Sequence, residues 1–434
     1  MSRRPHPIRR FTKPDGPGVG PRRAALRLLD AVVRRGEPLE TALHAATQGL
    51  DNRADKALTH AIAADVLRWM VDLDALIDGV TEKPLPEDAK ARMVLRIAMT
   101  QVLRLGTPDH AAVATALPLV EGGPRKLVHG VLGTLIRGGV SLPETPTLPA
   151  EAAERWTGQW GEEMTAGAAR ALGRRAPIDL TLADAGETGR FVEEMGGVSL
   201  MPGHVRVGHE VSIPALPGFE QGRWWVQDIA ASLPARLAGA GEGRSAIDLC
   251  AAPGGKTMQL AAQGWRVTAL DKSAKRLERL TANLERSGLA AEVAQGDALS
   301  WEPGEAADLV LLDAPCSATG IFRRHPDVLY RAGPRQIAEL AEQQTAMLAR
   351  AAEWVKPGGM LIYATCSLEQ AEGEERIAEF LAAHGDFAVS PPQPSDLPEG
   401  IVPTAQGFVR TLPPALEEHG GLDGFFIARL IRQP

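Results

Sequence analysis

The strongest constraint on the fold is an alternation of short apolar runs with longer helical patterns from about residue 244 onward. The predicted strands are residues 246–250, 266–270, 291–294, 309–313, 360–364 and 425–430. We expect a helix in each interval between the first five strands. This order predicts an α/β domain over residues 236–434, built on a doubly wound, mostly parallel, Rossmann-like sheet.

A helical region precedes this domain. Apolar residues recur every three or four positions across residues 22–140, as in the segments 24–33, 58–69 and 94–103. Glycine and proline interrupt the pattern at 36–38, 83–86 and 106–108. The sequence therefore predicts an N-terminal all-α bundle.

Two segments lie between the bundle and the α/β domain. Residues 141–150 are rich in proline, which predicts a linker. Residues 151–235 combine helical spacing with extended runs near 178–182, 205–207 and 224–226. This mixture predicts a small α+β domain.

Charge is distributed unevenly along the chain. The net charge is −7, but residues 1–23 carry seven basic side chains against one acid, which leaves about −13 on the rest. We expect residues 1–21 to be a flexible basic arm that serves either phosphate binding or solubility.

Several classes of protein are disfavoured. No stretch approaches the ~20 apolar residues of a membrane helix, and no apolar run follows the basic start, so we expect no membrane span and no signal peptide. Three cysteines without regular spacing predict neither a disulfide framework nor a metal site. A reducing cytoplasm is the expected compartment.

Aspartates end four successive predicted strands: Asp248, Asp271, Asp297 and Asp313. In α/β sheets these ends form the ligand crevice, where a carboxylate binds ribose hydroxyls. Gly254 and Gly255 allow the backbone to approach the ligand. The pyrophosphate pattern Gly-x-Gly-x-x-Gly is absent, so S-adenosylmethionine fits better than a nicotinamide cofactor. The alternative is that these acids cap helices.

Two thiols follow the fourth and fifth strands, so the loops of Cys316 and Cys366 should face each other if the strands are neighbours. A thiolate that attacks carbon 6 of cytosine allows carbon 5 to accept a methyl group, while an acid steadies nitrogen 3. With Asp313, the thiols indicate this chemistry, although either cysteine alone is equally consistent with a small buried side chain. Cys250 is interpreted as structural or as a backbone wall of the cofactor site.

Two further segments carry hypotheses. Ser367-Leu-Glu-Gln370 resembles a capping box, which predicts that Cys366 precedes a helix N-terminus whose dipole favours the thiolate. Arg323-Arg-His-Pro-Asp327 is a candidate contact for RNA phosphate, although His325 is equally consistent with a plain loop residue.

The chain resembles the RNA cytosine-carbon-5 methyltransferases of the Nol1/Nop2/Sun family. The matching blocks are Val226-Gln-Asp-Ile-Ala-Ala-Ser232, Asp248 to Lys256, Asp313-Ala-Pro-Cys-Ser-Ala-Thr-Gly320, Arg323-Arg-His-Pro-Asp327 and Tyr363-Ala-Thr-Cys-Ser367. The resemblance implies that Cys366 is the nucleophile, that Cys316 helps to resolve the adduct and that Asp313 contacts the cytosine. It also implies that S-adenosylmethionine binds Cys250, Ala251, Ala252, Pro253, Gly254, Gly255, Lys256, Asp271, Arg276, Asp297 and Asp313.

The helical region is similar to NusB, an RNA-binding fold, at Asp109-His-Ala-Ala-Val-Ala-Thr-Ala-Leu and Lys126-Leu-Val-His-Gly-Val-Leu. The two domains together resemble one group of bacterial 16S ribosomal RNA methyltransferases. The resemblance thus implies that the chain acts on 16S ribosomal RNA, either naked or in an early small-subunit particle, and we expect a monomer. The family's middle segment usually reads Leu-Arg-x-Asn; this chain has Leu180-Thr-Leu-Ala183, which leaves the RNA-positioning role of residues 151–235 open.

A DNA cytosine methyltransferase is a second hypothesis. In that case Cys316 would attack the base and Cys366 would be dispensable. The Thr365-Cys-Ser block argues against it.

An RNA-binding assembly factor with an idle catalytic domain is a third hypothesis. The helical bundle and the basic arm motivate it. The intact thiols and strand-end acids argue against it.

Overall fold

The computed structural model describes residues 16–434, so most of the predicted basic arm lies outside the described residues. One compact unit ends at Thr147, and a second comprises Leu148–Pro434. The first helix begins at Val19, within the segment predicted as an arm.

The first unit is helical throughout its described part. Its helices are α1 (Val19–Arg35), α2 (Leu39–Ala46), α3 (Arg53–Arg68), α4 (Met70–Asp78), α5 (Lys90–Leu103), α6 (Asp109–Ala116) and α7 (Gly122–Arg137). Trp69, Leu95 and Leu132 are among the side chains of its core. Helix α1 ends before Gly36, whose φ of 68° is the left-handed conformation that glycine adopts readily. The predicted bundle and its breaks are confirmed.

The second unit opens with a small α+β arrangement. Its elements are α8 (Ala150–Trp160), α9 (Glu162–Gly173), β1 (Ile178–Leu182), α10 (Thr188–Met195), β2 (His204–Val207) and β3 (Trp224–Val226). Strand β1 pairs antiparallel with β2 on one side and β3 on the other. Leu180, Phe191 and Trp224 are buried together and hold α10 against this sheet. The three predicted extended segments are confirmed.

A large sheet forms the rest of the unit. Its elements are α11 (Ile229–Arg236), β4 (Ser245–Leu249), α12 (Gly255–Ala262), β5 (Arg266–Asp271), α13 (Ala274–Ser287), β6 (Glu292–Gln295), β7 (Ala307–Asp313), α14 (Pro334–Glu353), β8 (Val355–Thr365), α15 (Glu374–Ala383), β9 (Phe387–Val389), β10 (Val409–Thr411) and β11 (Phe425–Arg432). The strand order is β10-β11-β8-β7-β4-β5-β6, and β9 pairs with β11. Strands β8 to β6 run parallel, whereas β11 is antiparallel to β8. The Rossmann-like, mostly parallel sheet is confirmed.

Helices cover both faces of this sheet. Leu309 and Leu311 of β7 pack in the core beneath α11 and α12, whereas Val310 and Leu312 pack in the core beneath α14 and α15. Because side chains alternate along a strand, a continuous apolar run is what a strand buried on both faces requires.

The strand order reverses between β4 and β7. From β4 the chain moves outward through β5 and β6, and it returns on the other side to form β7 and β8. The carboxyl ends of strands at such a switch point form the ligand crevice of an open α/β sheet. The crevice here lies where β4 and β7 end.

One predicted helix is wrong. The chain between β6 and β7, residues 296–306, forms a turn and an irregular loop. Pro303 and Gly304 disfavour a helix in so short a connection. Trp301 packs edge-on against Trp354 instead, with ring centroids 5.4 Å apart.

None of the helices in residues 16–434 has the length and apolar character needed to cross a membrane.

Candidate active site

The sulfur atoms of Cys316 and Cys366 lie 3.5 Å apart. Each thiol follows the end of a strand, and β7 and β8 are hydrogen-bonded neighbours with Asp313 opposite Ala364. Both thiols are partly exposed, and none of the three cysteines forms a disulfide. The structure thus brings the two predicted loops together at one edge of the sheet.

The Cys316 thiol is a weak acid. Its hydrogen bond with Cys366 and its burial raise the pKa of Cys316 well above the ordinary value. Cys316 therefore keeps its proton at neutral pH and can donate it in the sulfur–sulfur hydrogen bond.

Asp313 ends β7 and is about one third exposed. Its Oδ2 accepts a hydrogen bond of 2.8 Å from Nζ of Lys256, which lies at the start of α12. Burial opposes the charge on Lys256, but Asp313 outweighs it and raises the pKa of Lys256 above the ordinary value. Lys256 therefore keeps its positive charge at the crevice.

Two cations act on Cys366. A negative charge at Cys366 is among the influences that raise the pKa of both Lys256 and Arg324. The attraction between opposite charges is mutual, so Lys256 and Arg324 both lie where they act on charge at the Cys366 sulfur. Lys256 was predicted as a cofactor residue; its proximity to the thiol is visible only in the fold.

The predicted helix start after Cys366 is wrong. Residues 367–369 are irregular, a short 3₁₀ turn covers Gln370–Glu372, and α15 begins only at Glu374. The Ser367 hydroxyl does not cap a helix, because it bonds Glu372 and the backbone N–H of Glu369. No helix therefore begins directly after Cys366, and the charges that act on this residue are those of Lys256 and Arg324.

A buried carboxylate links the two cysteine loops. Glu372 is fully buried and accepts hydrogen bonds from the backbone N–H of Ser317 at 2.8 Å, and from the hydroxyls of Ser317 and Ser367. Gln344 donates a further bond of 3.1 Å. Sequence reasoning missed Glu372, although the serine that follows each cysteine was a usable signal.

Helix α8 supports the same loop from the other side. The indole of Trp160 donates to the backbone oxygen of Leu368 at 2.8 Å, and Trp156 donates to Glu369 at 3.1 Å. The backbone N–H of Gln370 donates to Gln159 at 2.9 Å. The two tryptophans on one helix face therefore hold the segment that follows Cys366.

The predicted cofactor loop joins β4 to α12. Cys250 and Gly254 have φ angles of 60° and 105°, in the region that glycine tolerates and other residues rarely adopt. The backbone N–H of Ala252 donates to Asp271 at 3.2 Å, and Arg276 contacts both Asp271 and the Ala252 oxygen. The loop, Asp271 and Arg276 thus form one continuous wall of the crevice.

The Cys250 side chain is partly buried and packs against the core beneath α14 and α15. Burial, with nearby Asp313 and Asp271, raises the pKa of the Cys250 thiol to about 12. The thiol stays protonated, as the structural interpretation of this residue requires.

The four predicted acids occupy different environments. Asp248 is fully buried, accepts a 2.6 Å bond from Thr257, and has a pKa raised to about 7 by burial. Asp297 is exposed, and its Oδ1 accepts the backbone N–H of Leu299 at 3.0 Å within a turn, where no helix follows for it to cap. Asp271 and Asp313 remain at the crevice.

The Arg323 segment does not form an open phosphate site. Arg323 is buried, and its Nη2 lies 3.1 Å from Asp228 and 3.3 Å from Asp423. Arg324 is bound to Asp423 as well. These arginines anchor the loop after β7 to the chain segments before α11 and β11.

The described residues contain no group of three or more His, Cys, Asp or Glu side chains placed to hold a metal ion.

Two family models match the chain. The model for 16S rRNA methyltransferase RsmB/F matches residues 237–431, which form the large sheet and its helices. The NusB family model matches residues 20–137, which form the helical unit.

Curated relatives align over nearly the whole chain. A ribosomal RNA small subunit methyltransferase B from Erwinia tasmaniensis is 33% identical over 94% of this chain and 98% of its own length. A protein of the same name from Xylella fastidiosa is 33% identical over 96% of this chain and 98% of its own.

Solved structures share the architecture. The crystal structure of PH0851 is 25% identical, with a TM-score of 0.73 over 96% of this chain and 100% of that chain. The structure of NSun6 from Pyrococcus horikoshii with SFG, at 19% identity, has a TM-score of 0.57 over 66% of this chain and 98% of that one, which supports the fold alone.

Proposed function

The chain belongs to the RsmB/F family of 16S ribosomal RNA methyltransferases, and from this premise we propose that it methylates carbon 5 of a cytosine in that RNA through a covalent Cys366–cytosine adduct. The observation that carries the proposal is the convergence of Cys316, Cys366 and Asp313 at one crevice. A methyltransferase that acts on nitrogen or oxygen atoms has no need of paired thiols at this point.

S-adenosylmethionine is the cofactor of this methyltransferase. The residues present suit it, because the crevice offers the carboxylates of Asp271 and Asp313 for a ribose and a sulfonium, and a glycine-containing loop from Cys250 to Lys256. We propose these residues, with Arg276 and Asp297, as its binding site. When bound, the cofactor supplies the methyl group.

The proposed reaction begins with a thiolate at Cys366. Its sulfur would form a bond to carbon 6 of the cytosine, and the displaced electron pair would move to carbon 5. Carbon 5 can then accept the methyl group, whose bond to the cofactor sulfur breaks as the new bond forms. Loss of the carbon 5 proton to a base and cleavage of the bond between carbon 6 and sulfur would regenerate the Cys366 thiolate and the aromatic ring. Asp313 contacts the cytosine at nitrogen 3, and Cys316 assists the final separation.

The two cysteines differ in a way that supports this assignment of roles. The raised pKa of Cys316 keeps it a thiol at neutral pH, which suits a proton donor or acceptor. Cys366 has the cations Lys256 and Arg324 nearby, which suits a nucleophile. In the alternative of a DNA cytosine methyltransferase, Cys316 attacks the base, so Cys316 would need the nearby cations and the ready loss of its proton.

The target base must leave any stack to reach the thiols, so the substrate is an unpaired or unfolded region of the RNA. We propose that the NusB-like unit binds the same RNA, naked or in an early particle. We also propose a monomeric enzyme in the cytoplasm, where reducing conditions preserve the thiols.

A labelled-methyl assay tests the proposal. Unmethylated 16S ribosomal RNA is incubated with the protein and methyl-labelled S-adenosylmethionine, and the RNA is digested to nucleosides. We expect the label in 5-methylcytidine with the wild-type protein and its loss with Cys366→Ala. Label in any other nucleoside, or full activity of Cys366→Ala, would refute the assignment.

A further inference from the structure

A polar cavity lies away from the paired cysteines, between the small sheet and the large one. Its volume is about 450 Å³. The β1 side contributes residues 181–185, the start of β2 contributes Gly203, and the helices contribute Arg236, Gln259 and Gln263. A volume of this order is typical of sites for small organic molecules.

Arg236 presents an uncompensated positive charge to this cavity. It forms no ion pair with any residue in the described part of the chain, and its contact is a long hydrogen bond of 3.4 Å to the Ser232 hydroxyl. Burial without a carboxylate lowers the pKa of Arg236 to about 10. Asp184 also lines the cavity, but its Oδ1 accepts the backbone N–H of Gly186. A buried guanidinium without an anion is costly, so an anionic ligand would stabilise it.

Two amide oxygens at the cavity also lack partners. The Oε1 atoms of Gln259 and Gln263 are buried, and neither has a hydrogen-bond partner among residues 16–434. Gln259 is only 4% exposed, and its Nε2 donates to the Ser232 backbone oxygen at 3.0 Å, which fixes the orientation of the amide. Buried polar atoms are normally paired, so these two oxygens point to a ligand that carries N–H or O–H donors.

The ligand must therefore combine an anionic group with donors on a body of limited size. A nucleotide has this chemistry, because its phosphate matches Arg236 and the N–H groups of its base match the glutamine oxygens. The chain acts on ribosomal RNA, which offers unpaired nucleotides at high local concentration once it is bound. The small sheet that forms one wall is the segment predicted to position RNA.

We propose that this cavity binds one unpaired nucleotide of the ribosomal RNA, separate from the base that is methylated. Lys256 at the crevice and Gln263 at the cavity lie seven positions apart on α12 and its cap, about 10 Å along the helix. The cavity nucleotide is therefore a second anchor for the strand. The inference depends on ribosomal RNA being the substrate, and not on which atom of the target base receives the methyl group.

Binding of unmethylated 16S ribosomal RNA to the full-length protein at several salt concentrations tests this anchor. We expect Arg236→Gln to raise the Kd about tenfold and to reduce the slope of log K against log salt by about 1, because one phosphate contact is lost. Gln263→Leu should raise the Kd severalfold with no change in slope.

Arg335→Gln is the matched control, since it removes an equal charge from an arginine that is 93% exposed and pairs with Glu339. If Arg236→Gln binds RNA as tightly as this control, the proposal is wrong. It is also wrong if Arg236→Gln abolishes binding of free nucleoside 5′-monophosphates while RNA binding is unchanged, because the ligand is then a free nucleotide.

Ultraviolet cross-linking of wild-type protein to the RNA gives a second test, which does not depend on the folding of any variant. We expect cross-linked nucleotides on peptides that contain residues 181–185 or 259–263. Their absence, alongside cross-links elsewhere, would contradict the proposal. If the methylation assay placed the label in a base other than cytosine, the proposed function would be refuted. The cross-links at the cavity would still support the second RNA anchor.

Discussion

Lys256 and Asp313 form an ion pair across the ends of β4 and β7, with Nζ 2.8 Å from Oδ2. The pair joins the cofactor loop to the strand that leads to Cys316. It also places a positive charge where it acts on Cys366. One lysine thus connects the carboxylate proposed to contact the base with the thiol proposed to attack it.

Replacing this lysine tests the electrostatic activation of Cys366. We expect Lys256→Met to slow alkylation of Cys366 by iodoacetamide about tenfold at neutral pH, because a nearby cation favours the thiolate. Mass spectrometry of the Cys366 peptide measures the rate. Lys356→Met, which removes a lysine paired with Asp308, is the control; equal rates in the two variants would exclude this role.

Glu372 should position both cysteine loops. We expect Glu372→Gln to lower kcat ten- to a hundredfold with little change in KM for RNA, because the isosteric amide loses the charge that accepts bonds from Ser317 and Ser367. Disulfide formation between Cys316 and Cys366 under mild oxidation should slow in parallel. Glu342→Gln, at an exposed position of α14, serves as the control. An unchanged oxidation rate in Glu372→Gln would contradict a positioning role.

Arg323 should matter for stability. Arg323→Met leaves Asp228 and Asp423 buried without this counter-charge, and removing one partner of a buried ion pair costs about 3–5 kcal/mol. Urea unfolding measures the loss. Arg335→Met, at the exposed pair with Glu339, should cost far less, because water screens an exposed ion pair. Similar losses of unfolding free energy in both variants would show that the ion pairs of Arg323 do not stabilise the fold.

Asp248 should make stability depend on pH. Burial raises its pKa from 3.8 in the unfolded chain to about 7 in the folded one, so the unfolded state releases the proton first. The contribution of Asp248 to stability therefore falls as the pH rises from about 4 to about 7, by up to about 4 kcal/mol, and is constant above that. Asp248→Asn removes this dependence. Urea unfolding of both proteins at pH 5 and pH 8 should show wild type losing stability relative to the variant, and a pH-independent difference would contradict this prediction.

Much of the fold follows from local patterns. Runs such as 309–313 are apolar at every position because both faces of β7 are covered, and such runs are recognisable in sequence. The place of Cys316 and Cys366 also follows, because the ends of parallel strands meet at one edge of the sheet. The loop between β6 and β7 was mispredicted because an interval between strands was taken to imply a helix.

The remainder depends on contacts between distant segments. Glu372 reaches Ser317 across 55 positions, and Arg323 reaches Asp423 across 100. The helix start at Ser367 was predicted because a serine followed three residues later by glutamine is typical of a capping box. The same serine hydroxyl can instead donate to a carboxylate outside the predicted motif, as it does to Glu372. Only the fold distinguishes these two uses of the same residue.

Covalent trapping tests the central claim, that Cys366 bonds to carbon 6 of the cytosine, most directly. Cys316→Ala, Cys366→Ala and the double variant are incubated with 16S ribosomal RNA and S-adenosylmethionine, and each is run on a denaturing gel. The account predicts that Cys316→Ala accumulates a protein–RNA adduct whose cross-linked peptide contains Cys366, and that the other two variants form none. An adduct that persists in Cys366→Ala would contradict it.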